Sequence, residues 1–518
     1  ELGAAGGDLQ RLEAALESEW GLSGLRAGPD FLAQAQAALR ERNGAVTVAV
    51  RDERQLAAIW PGLHERVYGA AVDVGSTTIA LHLCDLTSGE VLASSGAMNP
   101  QIRFGEDLMS RVSYAMLQPE GAAQMTTAVR RAVGDLIART VSEAGVERSD
   151  VLELTLVGNP VMHHLLLGLD PTPLGAAPFE LATDQPVEVM ANELDLGLHP
   201  GARAWFLPCI AGHVGADTAG VLLAEAPWAR DEISLIIDVG TNAEIVLGNS
   251  ERLLAASSPT GPAFEGAQIS GGQRAAPGAI ERVRIDPETL EPRFRVIGCD
   301  AWSDEPGFAA HGVTGICGSG IIEAVASMYL AGIVRSDGTI DGSVAARSPR
   351  VRPVNRTFSY LLHEGEPEIV VGQGDVRAIQ LAKAALCAGA RLLMDRMGID
   401  RVERIRLAGA FGSHIDVKYA MVLGMIPDCA LDRVSSAANA AGTGARIALL
   451  NRAARVDIER RVRTVEKVET AVDPAFQQHF VDAMGIPHGT QPYAQLAKAV
   501  TLPPAPTASR ARRRRRKP

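Results

Sequence analysis

Aromatic residues make up only 4% of the 518 positions. That is too few for a surface built from stacking platforms for single-stranded nucleic acid. No run of 18 consecutive apolar residues occurs, so no hydropathic transmembrane helix is expected, and the start of the chain lacks a signal-peptide pattern. The six cysteines, at 84, 209, 299, 317, 387 and 429, are scattered; the nearest two stand 18 positions apart and no pair has C-x-x-C spacing. Several sit in apolar runs, as in Ile316-Cys317-Gly318 and Leu386-Cys387-Ala388, so reduced buried thiols in a cytoplasmic protein are expected. Two nucleotide folds are missing as well. There is no G-x-x-x-x-G-K-[ST] loop, and no G-x-G-x-x-G opens a helix after a first strand.

What remains is an ordinary globular composition, 47% apolar and 21% charged, long enough for about three to four domains. The formal charge is −11, which excludes a globally basic nucleic-acid binder. Its distribution is uneven. Arg510, Arg512 to Arg516 and Lys517 are seven of the 50 basic residues; without them 43 face 61 acidic ones, a balance of −18. The arginine run reads as a solvated tail or as an attachment to an acidic surface.

Residues 1–67 read as a small α+β module or ordered linker. Leu9, Leu12, Ala15 and Leu16 share one helical face, Phe31, Leu32, Ala35, Ala38 and Leu39 another, and 45–50 is strand-like, with a turn at Trp60-Pro61-Gly62. From Tyr68 the texture becomes a strand–turn–strand meander, with helices expected at 105–117 and 120–144 and a buried strand at 151–157. Within the meander, Ala71-Val72-Asp73-Val74-Gly75-Ser76-Thr77 recurs in outline as Ile236-Ile237-Asp238-Val239-Gly240-Thr241-Asn242, 165 residues later. That offset implies two similar lobes and not a solenoid. The boundaries expected are 68–230 and 231–485, with strand 402–408, helices at 374–397 and 434–455, and a disordered Pro- and Arg-rich tail over 486–518.

The repeated Asp-x-Gly-[ST] hairpin has a physical use. Glycine lets the backbone turn sharply and approach a ligand. The N–H groups and hydroxyls after it can cradle phosphate oxygens. A carboxylate repels phosphate but suits Mg²⁺, which takes one or two carboxylates plus phosphate oxygens. Two copies one lobe apart point to a nucleotide cleft. Gly409-Ala410-Phe411-Gly412 follows a strand, and its small residues leave room for a base and ribose. Gly315-Ile316-Cys317-Gly318-Ser319-Gly320 opens a helix, either to offer its amides to an anion or simply to turn the chain. Asp217 in PCIAGHVGADT either orients a water or caps the following helix. Adjacent His163 and His164 point in different directions on a helix, so a shared metal site is not expected. Asn99-Pro100-Gln101 and Phe104-Gly105-Glu106-Asp107 form a polar insertion that contacts the cleft or a partner.

The two hairpins with Gly409-Ala410-Phe411-Gly412 resemble the phosphate and adenosine motifs of the ASKHA superfamily of sugar kinases, chaperones and actin. Over about residues 10–485 the strings YGAAVDVGSTT, MNPQIRFGEDLMSRV, VGNPVMHHLLLG, PCIAGHVGADT, IDVGTNAEIVL, TGICGSGIIEAV and LAGAFGSHID resemble the reductive activators of corrinoid proteins. The resemblance implies an α/β, two-lobed, actin-like (ribonuclease H-like) ATPase with a small N-terminal middle domain. It implies ATP-driven reduction of Co(II) to Co(I) on a partner corrinoid (cobalamin-binding) protein of an O-demethylase, methyltransferase or other one-carbon system. Asp73 and Asp238 would hold Mg²⁺ or its waters. Gly75, Ser76, Thr77, Gly240, Thr241 and Asn242, with Gly318, Ser319 and Gly320, would bind phosphates, and Gly409, Ala410 and Gly412 would line the adenosine site. Asp217 would orient the attacking water. Such activators carry a plant-type [2Fe–2S] ferredoxin domain upstream, fed by a low-potential donor, and are usually homodimers. No C-x₄-C-x₂-C run exists here and the chain starts at Glu1. This chain is therefore expected to supply ATPase and docking functions without a redox centre of its own. No membrane or nucleic-acid partner is expected. A small-molecule kinase of the same fold, or a nucleotide-dependent binding module, would share the hairpins.

Overall fold

The computed structural model describes residues 6–503 apart from Ser413, and for 309, 310, 410 and 411 it describes the backbone. The arginine run lies outside the described residues.

Helical spacing builds the first module. Helices α1 (Asp8–Trp20) and α2 (Pro29–Glu41) bury Leu12, Phe31, Ala35 and Ala38. These pack in one core with residues of a sheet ordered β1–β3–β2, made from β1 (Arg26–Ala27), β2 (Val46–Arg51) and β3 (Gln55–Pro61). Trp60 and Pro61, expected in a turn, instead finish β3 opposite Thr47 and Val46. Only Gly62, in left-handed backbone at φ 75°, turns the chain.

The meander follows as β4 (Tyr68–Val74), β5 (Thr78–Asp85) and β6 (Val91–Met98). Helices α3 (Leu108–Leu117) and α4 (Gly121–Ala144) lead to β7 (Val151–Gly158), α5 (Pro160–Leu167), β8 (Val187–Met190), β9 (Arg203–Phe206) and α6 (Ala216–Glu225). The sheet order is β6–β5–β4–β7–β9–β8, with β4, β7 and β9 parallel. Strands covered on both faces need continuous apolar runs, and Ala70, Ala71 and Val72 are fully buried.

The second unit repeats this plan. Its meander is β10 (Ser234–Val239), β11 (Ala243–Gly248) and β12 (Leu253–Ser258). Two three-stranded sheets are inserted next. One holds β13 (Ala279–Ile285), β14 (Pro292–Val296) and β15 (Gly315–Ile316), followed by helix α7 (Gly318–Leu330). The other holds β16 (Val351–Val354), β17 (Thr357–His363) and β18 (Ile369–Gly372). Then come α8 (Gln373–Met397), β19 (Arg404–Ala408), the short turn α9 (Gly409–Gly412), α10 (Val417–Leu423) and β20 (Val434–Ala438). Residues 434–438, expected to be helical, are a strand because Val434 to Ser436 pair in parallel with Ile405 to Leu407. The second large sheet is ordered β20–β19–β10–β11–β12–β21, the last strand being β21 (Val465–Lys467). In both large sheets the meander is joined through its first strand to two parallel strands.

The chain divides into two compact units: residues up to 224 with 440–463, and 225–439 with 464 onward. Helices α11 (Ala440–Leu450) and α12 (Arg452–Val462), placed by the sequence reading in the second lobe, thus belong with the first unit. There the Thr155 hydroxyl donates to the Ala445 carbonyl at 2.7 Å, and Arg455 pairs with Glu153 of β7 at 2.9 Å. After α13 (Pro474–Ala483), the expectation of disorder from 486 is corrected as far as 503. Buried Lys383 donates to the Gly485 and Pro487 carbonyls. The buried Tyr493 hydroxyl donates to Ile426 O at 2.8 Å, and Asp428 accepts the Gln495 and Leu496 N–H groups ahead of α14 (Leu496–Ala499). Among the described residues no helix is long and apolar enough to cross a membrane.

Candidate functional site

Each large sheet carries its Asp-x-Gly turn at the same place. Asp73 is the last but one residue of β4 and Asp238 the last but one of β10, both half-buried in otherwise buried strand ends. On its parallel side Asp73 faces Val157, and Asp238 faces Ala408. Each of those neighbours leads straight into a glycine. A Cβ at Gly158 would lie 2.9 Å from the Val74 carbonyl oxygen. A Cβ at Gly409, whose φ is 86°, would lie 2.4 Å from Asp238 Oδ1 and 3.2 Å from the Val239 carbonyl. Only glycine lets these turns close on the aspartate strands. The correspondence of Gly158-Asn159 with Gly409-Ala410 is part of the duplication that sequence reading missed, because the residues after the glycines differ.

In the first unit Gly75, Ser76 and Thr77 are partly exposed between β4 and β5. A Cβ at Gly75 would meet the Thr78 carbonyl at 2.5 Å. The polar insertion holds this turn from beneath. Asn99 Nδ2 donates to the Gly75 carbonyl at 2.8 Å, and the Asn99 N–H to that of Thr77 at 2.9 Å. Arg111, fully buried on α3, donates to Ser76 O at 2.5 Å and to Gly105 O at 2.9 Å. The carbonyls are thereby spent inward. Asp217 sits in the first turn of α6 and accepts the Thr218 N–H at 2.7 Å. Burial raises its carboxyl to about 6. Gly215 lies against the Gly158–Asn159 backbone, where a Cβ would stand 2.7 Å from Asn159 Cα, so Asp217 starts beside the glycine turn that flanks Asp73. The helix crossing behind it is equally close. A Cβ at Gly444 of α11 would lie 1.9 Å from the Gly220 carbonyl of α6.

His163 and His164 are both buried on α5. His164 Nδ1–H donates to Pro160 O at 2.7 Å while Nε2 accepts the Ala182 N–H at 3.0 Å. That is a neutral, structural imidazole. Burial lowers His163 to about 3, and its ring meets Phe206 edge-on at 5.4 Å.

In the second unit the Thr260 hydroxyl reaches the Gly240 and Thr241 carbonyls, 2.8 and 2.9 Å away. Thr241 is buried and its hydroxyl donates to Glu265 at 2.5 Å, while Asn242 is half-buried. Ala410 and Gly412 continue α9 from Gly409. Gly318, Ser319 and Gly320 are all buried at the start of α7. A Cβ at Gly320 would stand 2.1 Å from the Ile280 carbonyl, so Gly320 lets α7 pack on β13. Asp73, Gly75–Thr77 and Asp217 are thus gathered in the first unit, and Asp238, Gly240–Asn242 and Gly409–Gly412 in the second.

Hard carboxylate oxygens beside turns of backbone amides suit Mg²⁺ accompanied by phosphate. A cluster bound by thiolates does not fit. All six thiols are free and buried, and no group of three or more His, Cys, Asp or Glu suited to a metal gathers among the described residues.

Known proteins match the chain along its length. Three family profiles follow in order: the RACo linker region over residues 2–66, the RACo middle region over 68–226, and the "C-terminal domain of RACo the ASKHA domain" over 232–497. The corrinoid activation enzyme RamQ of Eubacterium limosum is 35% identical over 428 residues, covering 80% of this chain and 70% of that protein. The [Co(II) methylated amine-specific corrinoid protein] reductase of Methanosarcina barkeri is 25% identical over 475 residues, 85% and 81% of the two chains. Among solved structures, a reductive activator for corrinoid, iron–sulfur protein superposes with a TM-score of 0.81 at 33% identity, covering 94% of this chain and 77% of that one.

Proposed function

This chain belongs to the RACo family, and from that premise we propose that it reactivates a partner corrinoid protein, driving Co(II) to Co(I) at the expense of ATP. The observation that carries the nucleotide half is the doubled Asp-x-Gly turn, set at the same strand position of two sheets whose five corresponding strands share one order. The names of the relatives, a corrinoid activation enzyme and a corrinoid protein reductase, support the corrinoid half.

In this reading Asp73 and Asp238 hold Mg²⁺ or its water shell. The amides and hydroxyls of Gly75, Ser76, Thr77, Gly240, Thr241 and Asn242 take the phosphates. Gly409, Ala410 and Gly412 give the adenosine a wall without side-chain bulk. Gly318, Ser319 and Gly320 assist less directly, since α7 buries them. When bound, Mg²⁺ neutralises phosphate charge and orients the γ-phosphoryl group. Asp217, ionised above about pH 6, accepts a hydrogen bond from the water that attacks. The partner's cobalt would gain one electron from a low-potential donor. ATP and water leave as ADP and phosphate. Hydrolysis can do work only if ATP and ADP differ in affinity for two states of the protein, so partner affinity must change with the nucleotide bound.

Asp238→Ala tests the nucleotide site. It should abolish ATP hydrolysis and leave the melting temperature close to that of the parent. Turnover near the parental rate would remove Asp238 from the site.

A further inference from the structure

Strands β13 and β14 carry an arrangement that the nucleotide reading leaves unused. Their register sets Arg282 opposite Arg295 and Arg284 opposite Arg293. Cross-strand partners share a face, so four guanidiniums stand together on one side of the hairpin. Val283 and Phe294 bury the other side in the core. Like charges directly opposed across a ladder destabilise it, so folding alone does not explain two such pairs in adjacent positions.

Compensation from within the unit is incomplete. Glu323 of α7, fully buried, accepts from Arg282 at 2.8 Å, from Arg284, and from the Val283 N–H at 2.9 Å. One carboxylate thus serves two cations. Asp416 reaches Arg284 at 3.3 Å, and Asp300, itself fully exposed, reaches Arg295 at 2.8 Å. Such an exposed pair contributes little. Arg293 is exposed and has no carboxylate partner among the described residues; its guanidinium lies 4.8 Å from the Trp302 ring. Arg284 and Arg295 approach the same ring at 5.7 and 6.0 Å. Arg284 also stacks on Tyr419 at 4.3 Å, and Lys418 lies 4.6 Å from that ring. Five cations therefore gather around a half-exposed tryptophan; Glu323, Asp416 and Asp300 bond to three of them directly, Glu281 acts on Arg282 at longer range, and Glu305 is taken by the Trp302 N–H, which leaves Arg293 without a carboxylate partner among the described residues. Trp and Arg are the residues that anchor protein interfaces, and the Arg293 guanidinium at 4.8 Å lies within cation–π range of the indole.

We propose that this arginine–tryptophan face is a docking surface for the carboxylate-bearing surface of a protein partner. The occupant follows from charge complementarity: an anionic surface relieves both opposed arginine pairs, and on a chain of net charge −11 a local carboxylate patch suits them better than polyanionic nucleic acid. Resting on the function proposed above, that partner is the corrinoid protein. The face also touches the nucleotide side of the same unit, because Asp416, which Arg284 grips, caps α10 only four residues beyond Gly412.

The test is the double variant Arg293→Glu/Arg295→Glu in the whole chain, with association to the corrinoid protein followed in real time at low and high salt. Steering by the face predicts association at least about tenfold slower at low salt, a gap that closes at high salt, in a variant that melts no lower than the parent, because each new glutamate stands opposite an arginine. Poly-L-glutamate should compete for the parent chain. A folded double variant that associates like the parent overturns the docking surface and leaves the activator reading standing. If the parent neither binds nor reduces the corrinoid protein, the activator reading fails. Poly-L-glutamate alone then decides the face: preference for the parent over the variant supports an acidic protein partner, and equal binding refutes it. Arginine-dependent retention of duplex DNA in place of poly-L-glutamate also refutes it.

Discussion

Gly409 and Asp217 expose the reading to test one side chain at a time. Gly409→Ala places a methyl group 2.4 Å from Asp238 Oδ1 in left-handed backbone. The backbone penalty alone is about 1–2 kcal/mol, and the carboxylate must move as well. Stability in urea and ATP affinity should both fall; a variant matching the parent in both would show that the turn is not set against Asp238. Asp217 carries a pH signature. Its carboxyl is raised to about 6 by burial, so between the unfolded value, about 3.9, and about pH 6 the native state holds a proton the unfolded state has lost. Stability from this group is therefore full below about pH 4 and declines as pH rises through 6. Asp217→Asn should melt higher than the parent above pH 6, by on the order of 2 kcal/mol, with no gain at about pH 4. The parent's ATPase should fall as pH drops through 6. A flat profile from about pH 5 to about 8 would dismiss the carboxylate as the group that orients water. Sequence could nominate Asp73 and Asp238 because the Asp-Val-Gly turn after an apolar strand recurs 165 residues apart, and Asp217 only as either a water-orienting group or a helix cap. It could not find Arg111 or Asn99 as braces, since a buried guanidinium looks like any surface arginine until the fold closes over it.

At the scale of elements, the insertion after β6 braces the Gly75–Thr77 turn. Arg111→Met would strand the carbonyls of Ser76 and Gly105, at a cost of roughly 2–4 kcal/mol. Nucleotide affinity should drop with stability, and Arg111→Lys should not restore both contacts, because an ammonium lacks the guanidinium fork. Full nucleotide affinity in Arg111→Met would leave the insertion with no part in the site. The paired hairpins were legible because an apolar strand broken by Asp-Val-Gly is a local pattern, repeated. The strand at 434–438 was not, because the alanine-rich run after it reads as one helix from 434 and only pairing with β19 makes its start a strand. The segment at 486–503 misled for a related reason. Its proline and alanine composition suggests disorder, whereas Lys383, Ile426 and Asp428 hold it from far away in the chain. The alternating arginines of β13 and β14 became notable only when the register set them opposite one another.

For the whole molecule, five strands of each large sheet follow one order, and the chain returns through α11 and α12 to its first unit. A duplicated lobe was readable from the 165-residue offset; the return was not, because nothing local distinguishes those helices from their neighbours. The central claim is that nucleotide turnover on these lobes drives electrons onto a corrinoid. The most direct measurement mixes the chain with a corrinoid protein poised in the Co(II) state and a soluble low-potential reductant, and follows the cobalt absorption spectrum with and without ATP. The account predicts Co(I), or methyl-cobalt when a methyl donor is present, only when ATP is added, and its loss with Asp238→Ala. Co(I) appearing equally without ATP, or never appearing while ATP is hydrolysed, would contradict it.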